Sequence, residues 1–122
     1  MSNPMDRKAV WERYVASWKP QAAQQKRALF ETCLAPECTY SDPLQVAHGW
    51  EALLEYMLEF QKQVPGGYFV TEYFATHHQK SIAKWRMLSA DAAQIGEGMS
   101  YGEYDANGLL VAMTGFFEPP AS

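Results

Sequence analysis

No stretch of the sequence stays apolar for more than about five residues, as in Leu109 to Met113, whereas a membrane-spanning helix needs ~18. No membrane span is expected. Lys and Arg are absent after Arg86, and 10 bases against 14 acids leave a formal charge of −4, with the basic excess confined to residues 1–34. A chain without a basic stripe lacks the footprint for phosphate contacts, so neither nucleic acid nor an anionic membrane is expected as a partner. Cysteine is scarce. Cys33 and Cys38 are separated by four intervening residues, which fits no zinc or thioredoxin spacing, and they read as small buried hydrophobes of a reducing compartment. Asp42, His48, His77 and His78 follow no metal-ligand pattern, so no metal is expected. There is no glycine-rich phosphate loop and no Gly-x-Ser-x-Gly elbow, so no cofactor is expected and nucleotide-binding and serine-hydrolase readings fall away. The opening Met1-Ser-Asn-Pro-Met-Asp-Arg-Lys has no apolar segment after its charges, which predicts a cytoplasmic protein without a secretory leader.

What the sequence does hold is aromatic. Its 122 residues include four Trp, seven Tyr and six Phe, within 48% apolar and 20% charged types. That balance predicts one folded domain over residues 1–122. The aromatic excess predicts either a heavily filled interior or the lining of a cavity.

Val10, Trp11, Tyr14, Val15 and Trp18 recur at helical spacing from Asp6 to Trp18, with Asn3-Pro4 as a start signal. Pro20 predicts the first turn of a second helix running to about Leu34, with Ala22, the Lys26 stem, Leu29, Phe30 and Cys33 inward. Cys38 to Asp42 reads as a short strand ended by Pro43. A third helix is predicted from Gly49, carrying Trp50, Leu53, Leu54, Met57, Leu58 and Gln61, and closed by Val64-Pro65-Gly66-Gly67. Four strand-like runs follow, Tyr68 to His78, Ser81 to Leu88, Ile95 to Tyr104 and Leu109 to Phe117; Asn107-Gly108 marks the last hairpin. Helices first and strands last predict an α+β fold with a mainly antiparallel sheet. In the third run Gly96, Gly98, Ser100 and Gly102 project to one face, an arrangement that predicts open space above the sheet.

The stretches Arg13-Tyr14, Cys38 to Pro43, His48-Gly49 through Leu54, Trp85-Arg86-Met87 and Tyr104 to Leu109 occur in an order that resembles the nuclear transport factor 2-like superfamily. Within it the chain is most similar to the SnoaL-like branch, which also resembles ketosteroid isomerase. The resemblance implies a cone, a curved sheet wrapped around about three helices, with a deep apolar pocket and commonly a homodimer. Relatives include isomerases, dehydratases, polyketide cyclases and epoxide hydrolases, alongside members without catalysis, so the residues must decide function.

By this resemblance Asp42 holds the position of a catalytic base, and a carboxylate facing an apolar cavity is suited to taking a proton beside a carbonyl. The competing reading is a Ser-Asp-Pro turn whose carboxylate bonds its own backbone. Tyr14 matches the helix-one tyrosine that donates to a developing oxyanion; otherwise it is an ordinary helix-face aromatic. The second donor in the isomerases is a protonated carboxylic acid, and Ser100 occupies its place here, which argues against a steroid isomerase. Of His77 and His78, neighbours with opposite strand parity, His78 is the candidate proton shuttle by its parity with Phe74 and Val70; a partly exposed strand histidine is the alternative. His48 reads as part of a helix entry. Trp18, Tyr40, Trp85, Met87 and Phe116 are candidate walls for a flat hydrophobic ligand, or simply core.

Three functions follow: an enzyme moving a proton on a small hydrophobic carbonyl compound, a pocket protein that binds such a molecule without turnover, and a dimerisation module.

Overall fold

A computed structural model describes residues 6–118. Asn3-Pro4 lies outside the described residues. Helix α1 spans Arg7–Ala16, and the Asp6 carboxylate caps it by accepting the Lys8 N–H at 3.0 Å. The second helix, α2, spans Ala23–Cys33, so the expected start at Pro20 is corrected by three residues. The chain between the two helices is occupied elsewhere. Lys26 reaches back from α2 with its Nζ to donate to the Ser17 and Trp18 carbonyls, which closes the end of α1 and keeps the connection non-helical.

Strand β1 covers Leu34–Asp42, longer than its sequence pattern predicts, and β2 covers Gln45–His48. The added length of β1 comes from a partner distant in the chain, and β2 is a local hairpin return. The β1 strand pairs in parallel with a strand near the C-terminal end, from Leu34 opposite Leu110 to Ser41 opposite Thr114, with an irregularity between Leu34 and Thr39. Pro36 falls in that irregularity, where its missing N–H breaks no regular ladder. The β2 strand folds back antiparallel on β1 around Pro43-Leu44. Helix α3, Gly49–Gln63, starts and ends where its pattern predicts, with Leu53, Leu54, Met57 and Gln61 buried.

The remaining strands are β3 (Tyr68–His77), β4 (Lys80–Leu88), β5 (Gln94–Tyr104) and β6 (Leu110–Phe116). The sheet order is β2-β1-β6-β5-β4-β3, antiparallel throughout except for β1 beside β6, so the sheet is mixed and open. Register shifts at Thr71/Tyr73 and Met87/Leu88 bend it. The Asn-Gly hairpin forms as expected, with Gly108 at φ +87 and the Asp105 carboxylate accepting from the Asn107 and Leu109 N–H groups.

The inner face of the sheet closes on the helices around Val10, Trp11, Phe30, Leu53, Met57, Leu110 and Met113, all essentially inaccessible to solvent. The result is the α+β cone expected from the sequence.

Two expectations fail here. The stripe Gly96, Gly98, Ser100 and Gly102 does face inward, but the space above it is taken: a Cβ on Gly98 would lie 2.4 Å from Cζ2 of Trp85, and one on Gly102 would lie 2.9 Å from the Ser81 hydroxyl. The glycines admit neighbours; they do not hold a void. His78 lies beyond the end of β3 in the hairpin turn, at φ 53 and exposed, with its Nδ1 3.0 Å from that of His77, so strand parity does not aim it into the cone.

Candidate functional site

Pro43 ends β1 and the chain turns at once into β2, which leaves Asp42 at the rim of the cone. Its two oxygens do different work. Oδ1 accepts the backbone N–H groups of Leu44 at 2.8 Å and Gln45 at 3.0 Å, the bonds of an Asx turn. Oδ2 faces the interior and accepts two phenols, Tyr40 from its own strand at 2.5 Å and Tyr56 from α3 at 2.8 Å. Turn and pocket therefore describe two halves of the same carboxylate.

Around this cluster the aromatic side chains interlock. Trp18 is the hub, with ring centroids 5.7 Å from Tyr40, 6.0 Å from Tyr56, 5.6 Å from Phe60 and 5.4 Å from Phe69. Phe69 in turn meets Trp85 edge-on at 5.2 Å. The Trp85 indole N–H donates to the Ser100 hydroxyl at 2.9 Å, which leaves the Ser100 O–H free to donate. Gly115 connects the two polar groups: a Cβ there would sit 3.6 Å from Asp42 Cβ, 3.7 Å from Ser100 Oγ and 3.8 Å from Tyr40 Oη.

Tyr14 is buried against Trp11, ring centroids 5.0 Å apart, and makes no hydrogen bond to Asp42; the donors on that carboxylate are Tyr40 and Tyr56. Burial pushes its hydroxyl far above the ordinary phenol range, with Trp18 acting the other way and the nearby Cys38, Cys33 and Asp42 adding to the rise. Tyr40 is pushed up by burial first, then by Tyr14 and by Asp42. Tyr56 follows the same pattern, with burial first and Asp42 next. All three remain neutral hydrogen-bonding groups near pH 7.

Among the other expected walls, Trp18, Tyr40, Trp85, Met87 and Ser100 all lie on the inner side of the cone; Met87 is half-buried beside Gly96. Phe116 does not. It is exposed on the opposite face of the sheet, across from Met99, because buried Gly115 opposite Ser100 takes the inward position. Phe117 is the ring that meets Trp85, at 6.2 Å. Tyr56 was absent from the sequence-derived set, since helical spacing places it on the flank of the apolar stripe of α3. Its neighbour Met57 carries that stripe.

Three helices packed in the hollow of a bent, open six-stranded sheet, with an acidic residue and tyrosines at one end, constitute the nuclear transport factor 2-like fold. Solved structures of the SnoaL-like kind share it. A SnoaL-like family protein from Agrobacterium tumefaciens str. C58, assigned as an isomerase, superposes with a TM-score of 0.84 at 21% identity, covering 93% of this chain and 97% of that one. A SnoaL-like protein from Jannaschia sp. CCS1, assigned as a polyketide cyclase, gives 0.74 at 11% identity over 97% and 90% of the two chains. An NTF2-like protein of unknown function from Cytophaga hutchinsonii ATCC 33406 gives 0.72 at 9% identity over 98% and 96%. The sequence matches no protein-family model and no curated protein. No helix among the described residues is long and apolar enough to cross a membrane.

Proposed function

We propose that the protein binds a small hydrophobic carbonyl compound in the cone and moves a proton on it, as an isomerase, cyclase or dehydratase would. One observation carries this reading: Asp42 Oδ2 faces the interior with two phenols on it and the Ser100 hydroxyl nearby. The assigned activities of the SnoaL-like neighbours agree with it.

The chemistry follows from the hydrogen-bond count. Oδ2 becomes a proton acceptor when one phenol turns its hydrogen from the carboxylate to the ligand's oxygen. A single rotation frees the base and supplies a donor to the developing oxyanion. Tyr56, half-buried, is the freer of the two to turn; Tyr40 is held by burial. The Ser100 O–H, polarised by the Trp85 N–H that its oxygen accepts, is a second donor on the same inner face of the sheet. Tyr14 keeps the resemblance-based role of a donor from α1.

A non-catalytic binding protein is the second reading. It draws on the four donors that already satisfy Asp42. Deuterium exchange separates the two without knowledge of the natural substrate. 2-Tetralone is added in D2O, its binding is followed by thermal shift, and loss of its α-proton signals is followed by NMR. Wild-type protein is expected to accelerate exchange and Asp42→Asn to lose at least ~100-fold of that acceleration. Exchange retained in Asp42→Asn removes Asp42 as the base. Binding without exchange in the wild type establishes the second reading.

A further inference from the structure

Two polar side chains stand where the inward stripes of two helices are ordinarily apolar, and they converge on one carbonyl. Lys26 shares the inner side of α2 with Phe30 and Cys33 and is 0% exposed; Gln61 continues the buried stripe Leu53, Leu54, Met57 of α3 and is 5% exposed. The Trp18 carbonyl accepts from both, from Lys26 Nζ at 3.1 Å and from Gln61 Nε2 at 2.8 Å. Lys26 Nζ also holds the Ser17 carbonyl at 2.8 Å. The Gln61 amide binds backbone in both senses, since Nε2 donates as well to the Gly67 carbonyl at 2.9 Å while Oε1 accepts the Gly66 N–H at 2.9 Å. The end of α1, α2, α3 and the turn that opens β3 therefore meet at one point.

A buried ammonium and a buried amide cost stability unless their hydrogens are placed, and ending a helix requires neither. The last turn of α1 is already completed by backbone, with the Ser17 N–H on the Arg13 and Tyr14 carbonyls, Trp18 on Val15 and Lys19 on Ala16. The two side chains act one residue beyond the helix cap, on the residue whose ring is the hub of the aromatic cluster. The chain between Ala16 and Ala23 has no helical ladder of its own, so the Trp18 backbone stays where these bonds hold it. What depends on it is the setting of Asp42. The indole packs against Tyr40 from β1 and Tyr56 from α3, the two phenols that donate to Asp42 Oδ2, and against Phe60 and Phe69 on its other sides. A shift of the Trp18 backbone moves the surface against which both hydroxyls are aimed, and proton transfer is sensitive to misplacement of ~1 Å.

We infer that Lys26 and Gln61 are positioning residues of the Asp42 site, acting through the Trp18 carbonyl to fix the indole that orients Tyr40 and Tyr56. Neither is a catalytic residue. The effect on turnover rests on the proton-transfer reading above, whereas the placement of the ring does not.

Lys26→Met and Gln61→Leu remove the donors and keep apolar side chains in their place, with circular dichroism as the folding control. Full-length protein labelled with fluorotryptophan gives a separate fluorine NMR line for each indole, and Trp18→Phe identifies the line of Trp18. Both variants are expected to shift or broaden the Trp18 line more than those of Trp11, Trp50 and Trp85. With 2-tetralone in D2O, both are expected to lower the saturated rate of α-proton exchange ~10-fold and to change KM less than ~3-fold, because alignment is lost while the pocket keeps its volume. A purely structural role would lower stability and leave kcat of the folded protein unchanged. A Trp18 line that stays in place, or wild-type kcat in a folded variant, overturns the inference; where one variant does not fold, the other decides. If the wild type catalyses no exchange, the proton-transfer reading falls by itself, and the Trp18 line then decides whether the two side chains position the ring.

Discussion

Tyr56 and Asp42 stand fourteen positions apart in the chain, and the hydroxyl of one donates to the carboxylate of the other at 2.8 Å. This bond ties the flank of α3 to the end of β1 and completes the set of donors on Asp42. Tyr56→Phe deletes it with almost no change in shape. The expected loss is about 1–2 kcal/mol, the lower part of the range for a hydrogen bond to a charged group, because both partners are half-exposed. Urea denaturation monitored by tryptophan fluorescence measures it, and an unchanged midpoint would show that the bond adds nothing to stability.

Gly98 and Gly96 share a face of β5 but tolerate a methyl group differently. A Cβ at Gly98 would lie 2.4 Å from a Trp85 ring carbon and 2.6 Å from the Phe116 carbonyl oxygen, whereas at Gly96 the nearest atom is the mobile tip of Met87 at 3.4 Å. Gly98→Ala is expected to cost about 2–3 kcal/mol and Gly96→Ala less than about 1 kcal/mol. Thermal melts of the two variants side by side decide it; equal costs refute the close packing of Trp85.

Lys26 is buried with its ammonium on the Ser17 and Trp18 carbonyls and no carboxylate partner among the described residues. Burial pushes it down to about 8 from the ordinary 10.5. The unfolded chain therefore binds more protons above pH 8, so this group makes stability rise with pH from about 8 toward 10.5. The buried thiols act in the opposite sense above about 9, where they ionise only in the unfolded chain. The upward slope should be cleanest between pH 8 and 9. Unfolding free energies across that window are expected to rise more steeply in the wild type than in Lys26→Met; parallel curves would remove Lys26 as the cause.

Burial pushes the thiols of Cys33 and Cys38 up to about 12 and about 11. Neither supplies thiolate at neutral pH. Ellman's reagent at pH 8 is expected to leave the folded protein unlabelled and to take up two equivalents in urea. Rapid labelling of the native protein would contradict the packing of α2 on β1.

Features set by local chemistry were readable in the sequence. The stripe of α3, the Asn107-Gly108 hairpin and the end of β1 at Pro43 each depend on a few adjacent residues. What escaped depends on partners far away in the chain. Leu34 to Glu37 extend as strand because β6 lies alongside, and nothing in those four residues announces it. Phe116 and Phe117 are interchangeable until Gly115 is seen opposite Ser100. Asp42 was readable as a site because Pro43 fixes its setting, while the choice of Tyr40 and Tyr56 over Tyr14 as its partners follows from how α3 crosses β1. A run of glycine reads alike whether it leaves room or admits an indole.

The parallel pairing of β1 with β6 also sets the order of events in folding. Every other neighbouring pair in the sheet joins consecutive segments, so β1–β2 and β3 to β6 can each form early through short loops. Joining those two pieces requires residues from opposite ends of the chain to meet, an entropically slow step. During synthesis β1 emerges long before β6, and its unpaired edge waits as a template for pairing with other chains. The rate of that last closure, more than the strength of any one contact, governs how much of the chain escapes aggregation.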